Sequence, residues 1–104
     1  GEKSLEISLK VVQTKGTASP YLSYFFEYLE SKKKQYPNKV LEILIEGVYL
    51  FDDQKFYRFG DLNTLLKDLI SGGVDMSKVV SFIEMLFTTE NAQRYWGLRE
   101  IIET

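Results

Sequence analysis

The stretch KVLEILIEGVYLF, residues 39 to 51, is the most hydrophobic part of the chain outside its amphipathic segments. Val40, Leu41, Ile43, Leu44 and Ile45 form a near-continuous apolar run, the pattern of a strand buried in a parallel sheet. Glu46-Gly47 interrupts the run, with Gly47 marking a bend or a close backbone approach, and Val48-Tyr49-Leu50-Phe51 continues it. Upstream, LEISLKVV (5–12) alternates at Leu5, Ile7 and Leu9 before Val11-Val12, and this period of two predicts a strand. Downstream, Asp52-Asp53-Gln54 reads as a turn, and Lys55 to Phe59 alternates like a short strand.

Helical segments separate and follow these strands. Ser19-Pro20 reads as an N-cap with proline at the first helical position, opening a helix over about 21–34. Leu22, Phe25, Phe26 and Leu29 form its stripe, and Pro37 is expected to stop it with Tyr36 extended. Asp61 caps a second helix carrying Leu62, Leu65, Leu66, Leu69 and Ile70, closed by Gly72-Gly73. Asp75 or Ser77 caps a third, with Val79, Phe82, Ile83 and Leu86 at helical spacing. Thr88-Thr89 breaks that helix or starts a final one, whose apolar contacts are Trp96, Ile101 and Ile102. The order β-α-β-(β)-α-α-α predicts an α/β domain over residues 1–104, with a right-handed parallel crossover between the first two strands.

Composition narrows the chemistry. The 104 residues hold no cysteine and no histidine. Thiolate nucleophiles, disulfides, imidazole acid–base chemistry and the commonest zinc ligands are therefore absent. The missing disulfides favour a cytoplasmic setting, and no signal-peptide pattern or long apolar run points to a membrane. A net charge of −2 gives no concentrated basic face for nucleic acid. Lys32-Lys33-Lys34 sits at a helix end, where cations suit the dipole.

Asp52-Asp53 with Glu46 is a weak divalent-ion pattern, since aspartates also favour turns and no third ligand stands at a fixed offset. The loop Lys15 to Ser19, with Gly16, Thr17 and Ser19, lies where α/β folds hold anions. It lacks both phosphate-loop and dinucleotide spacings, so an ordinary turn competes with a weak anion loop. Ser19 or Ser23 as a nucleophile would lack a histidine base, and nothing marks a lysine or carboxylate as a replacement. No catalytic residue, cofactor or metal is expected, and the chain is not read as an enzyme.

Seven tyrosines and one tryptophan are dense for this length. Most fit a core padded with aromatics, but tyrosine and tryptophan also suit interfaces. Tyr24, Tyr57 and Trp96 are the candidate contact residues for a protein partner or for a second copy, in a homodimer or hetero-oligomer.

VVQTKGTASPYL, LEILIEGVYLF and FIEMLFTTENAQRYW together resemble segments of the DsrE/DsrF/DsrH-like superfamily, most closely the DsrH (TusB-like) sulfur-relay subunits. The resemblance spans residues 9 to 96 and implies a small α/β subunit of a larger assembly. Members that carry sulfur use cysteine, which this chain lacks, and its segment after the second strand is short for the family's helix there. The resemblance thus implies a non-catalytic subunit or orphan relative. A stand-alone interaction domain and a small-anion binder are the other two readings.

Overall fold

The computed structural model describes residues 2–15, 21–48 and 59–87, and it contains no strand among them. Five helices follow in order: α1 (Glu2–Lys15), α2 (Tyr21–Lys32), α3 (Pro37–Glu46), α4 (Phe59–Ser71) and α5 (Met76–Phe87). The α/β expectation is overturned: the described residues form a helical domain. The parallel β-α-β crossover goes with it, because residues 5–12 lie in α1 and residues 39–46 in α3. Of the short strand expected over 55–59, Phe59 begins α4 and the rest lies outside the described residues.

The reason lies in how each stretch distributes its polar residues. In α1, Leu5, Leu9 and Val12 are buried at spacings of four and three, the period of one helix face. Ile7 and Val11, which completed the apparent alternation, are 59% and 47% exposed. A strand over 5–12 would bury Val11 with its neighbours in the sheet; in α1 it lies outside the core.

In α3, Val40, Leu41, Ile43 and Leu44 are buried and Ile45 is half-buried. Asn38, Glu42 and Glu46 recur every fourth residue and stay exposed. A helix packed from several sides needs a wide apolar arc, and such an arc reads along the sequence as an unbroken run. α3 packs against all four other helices. Pro37 starts it rather than only ending its predecessor: the ring's fixed φ suits a first helical turn and its missing N–H has no partner to lose there. Tyr36 at the cap is non-helical, with φ −133° and ψ 59°, so it leaves the helical region without reaching the fully extended conformation expected before proline.

The three helices read from periodicity are present. α2 ends at Lys32, two residues short of the expected Lys34. In α4, Leu62, Leu65, Leu66 and Leu69 are buried, and in α5 so are Val79, Phe82, Ile83 and Leu86. The turn between them is fully specified. Gly73, at φ 90°, donates to the Ile70 carbonyl at 3.0 Å, and the Val74 N–H reaches Leu69 at 3.4 Å. Leu69 and Val74 are both buried, so the left-handed glycine turn carries its apolar clasp. Asp75 then accepts from the Ser77 N–H at 2.9 Å and from its hydroxyl at 2.7 Å, capping α5. These two bonds, the hydroxyl first, hold the Asp75 carboxyl below its ordinary range.

The core is one cluster fed by all five helices, with no buried charged residue among those described. Polar ties sit at its edge. Lys39 of α3 lies 2.6 Å from Glu6 of α1 and 3.4 Å from Glu42, and Lys33, past the end of α2, lies 2.6 Å from Asp68 of α4. The hydrogen bond that Lys39 donates to Glu6 lowers the Glu6 pKa and raises that of Lys39.

Candidate functional site

α1 and α2 lie side by side and run antiparallel. Ser4, in the first turn of α1, shares a 2.5 Å hydroxyl contact with Tyr28 late in α2. Toward the other end, Val11 and Val12 of α1 face Tyr24 and Phe25 of α2 across a groove. The groove holds about 310 Å³, and Ser8 and Tyr28 complete its lining. Val12 and Phe25 form its floor, since both are buried, while Val11 and Tyr24 stand on its rims.

Tyr24 is 63% exposed, the highest value among the large apolar side chains described. The residue lies on the outer side of α2, turned away from the stripe of Leu22, Phe26 and Leu29. Ile7 extends the exposed apolar surface along α1, one turn before Val11. Lys32 Nζ sits 5.7 Å from the centre of the Tyr28 ring, a cation–π arrangement at the far end of the groove. Three of the four exposed large hydrophobics described, Ile7, Val11 and Tyr24, thus belong to one face built from α1 and α2.

The other candidate residues fall in different places. Tyr57 and Trp96, the anion loop Gly16, Thr17 and Ser19, and the Asp52-Asp53 pair lie outside the described residues. Glu46 is exposed at the end of α3, and no acidic cluster able to hold a metal ion occurs among the described residues. Ser23 is half-buried on α2. No described helix is long and apolar enough to cross a membrane.

Tyr24, the one expected contact residue that lies among the described residues, stands on an open surface. Ile7 and Val11 were missed as surface residues because alternation assigned them to a strand. Their signal was available: both fall off the 5, 9, 12 spacing that the α1 core uses. No family model, curated protein or solved structure matches the chain.

Proposed function

We propose that the chain is a non-catalytic protein-association domain that works through its α1–α2 face. The observation that carries this reading is the gathering of Ile7, Val11 and Tyr24, all at least 47% exposed, beside an open apolar groove. A contiguous apolar surface on a small domain is the usual mark of an interaction site. Tyrosine suits such a site because it contributes area while its hydroxyl stays hydrated. The cytoplasmic setting expected from the cysteine-free sequence belongs to the same proposal. The sulfur-relay resemblance adds no support, because two of its three segments were read as strands and contain α1 and α3 residues here.

The test is native mass spectrometry of the protein purified from its own cell, with a photo-crosslinking residue at position 24. The expected result is a protein subunit bound through that position. Val11→Glu should release the subunit while the far-UV circular dichroism stays helical. A bare monomer with no adduct at position 24 would overturn the reading.

A further inference from the structure

The charges along the margins of this face identify an occupant for it. At about 100° per residue, Lys3 and Lys10 stand beyond Ile7 on the outer margin of α1, away from the groove. Both are exposed, and both lie close enough to Glu6, on that same side, to lower its pKa. Glu27, one turn after Tyr24, is exposed on the outer margin of α2. Across its width the face therefore runs from cations, through Ile7 and Val11, over the groove to Tyr24, and ends on an anion.

Such a strip is complementary to itself under one rotation. A two-fold axis parallel to the helices and lying over the groove sets α1 of each copy on α2 of the other. Lys3 and Lys10 then meet Glu27 of the second copy, and Tyr24 meets Val11 of the second copy. The antiparallel arrangement of α1 and α2 supports the register. Glu27 lies between the levels of Ser4, opposite Tyr28, and Val11, opposite Tyr24, so lysines 3 and 10 bracket it. A two-fold axis across the helices would instead stack α1 on α1 and set lysine against lysine, which is unfavourable.

We infer that the α1–α2 face binds a second copy of this chain, forming a two-fold homodimer in which Lys3 and Lys10 oppose Glu27. The inference rests on the association reading and specifies its partner. Interfaces between identical chains are most often two-fold, and each feature is then used twice.

The test uses sedimentation velocity on the purified chain at roughly 100 µM, where an interface of micromolar Kd is mostly filled. Wild type should sediment as a dimer. Glu27→Lys alone and the double variant Lys3→Glu/Lys10→Glu alone should each dissociate at least about tenfold more readily, because every pair becomes repulsive. Mixing the two variants should restore the dimer, since each copy then presents the charge its partner lacks. Circular dichroism on each variant checks that substitutions at these exposed positions leave the helices intact.

A monomeric wild type, variants as dimeric as wild type, or a mixture of folded variants that stays monomeric would each overturn the homodimer. A chain that is monomeric when pure, yet cross-links through position 24 to a different protein in its cell, would remove the homodimer and leave the association reading standing. Absence of both removes both.

Discussion

Single positions carry unequal weight in this domain, and Leu66 and Gly73 show why. Leu66 is fully buried on α4, so Leu66→Ala deletes most of a packed side chain and leaves a cavity. The expected loss is about 2–5 kcal/mol, measured as a lowered denaturant midpoint at constant slope. Gly73 has no neighbour within 4 Å of an added Cβ, but its φ of 90° strains any L side chain. Gly73→Ala should cost about 1–2 kcal/mol through backbone conformation alone. Gly60 gives the opposite sign. It lies in the first turn of α4 with open space around it and no positive φ. Gly60→Ala should therefore raise stability by about 0.4–1 kcal/mol, by restricting the unfolded chain.

The pair Glu6–Lys39 fixes a pH response at the same scale. Glu6 has a lowered pKa in the folded state, so its contribution is present above the unfolded value and is lost as pH falls through the folded one. Lys39 has a raised pKa, so its contribution is complete below its unfolded value and is lost as pH rises through the folded one. Glu6→Gln should flatten the acid limb of a stability–pH curve by lowering the neutral plateau, and only slightly, because the pair lies at the solvent-exposed edge. A variant whose acid limb matches wild type would show that the pair does not form in solution.

Elements differed in how plainly the sequence announced them. α4 and α5 were legible through their shared turn: Gly72-Gly73 and Asp75 sit next to stripes with a single period, so the local signals agree there. Asp61, read as the cap of α4, lies instead in the first turn of a helix that starts at Phe59, where its charge suits the dipole. Asp75→Ala should cost about 0.5–2 kcal/mol, read as a thermal shift, since it removes the acceptor for two bonds at the start of α5. α1 and α3 were misread for separate physical reasons. In α1, two exposed aliphatics, Ile7 and Val11, imitated a strand by filling the gaps between core residues. In α3, contact with four helices demanded so much apolar surface that its period was visible mainly in the polar residues. Pro37 reads from the sequence as a stop for α2, yet it opens α3 by the same rule that makes Pro20 a helix start. Of the candidate face, Tyr24 was recognised from composition. Its companions Ile7 and Val11 were not, because a surface residue can be recognised only once the helix that exposes it is known.

The whole molecule is organised around its shortest described helix. α3 has ten residues, and an isolated helix of that length is marginal in water. It persists because α1, α2, α4 and α5 enclose Val40, Leu41, Ile43 and Leu44 on several sides at once. No partial opening of the bundle can leave α3 standing with its neighbours gone, and none can release α3 while they keep their contacts. Its amides should thus exchange with deuterium only when the entire domain unfolds, and their protection should match the global stability. The amides of α1 beyond Val12, held by fewer buried side chains, should exchange earlier. The helix least able to exist alone would then be the last to yield its hydrogens.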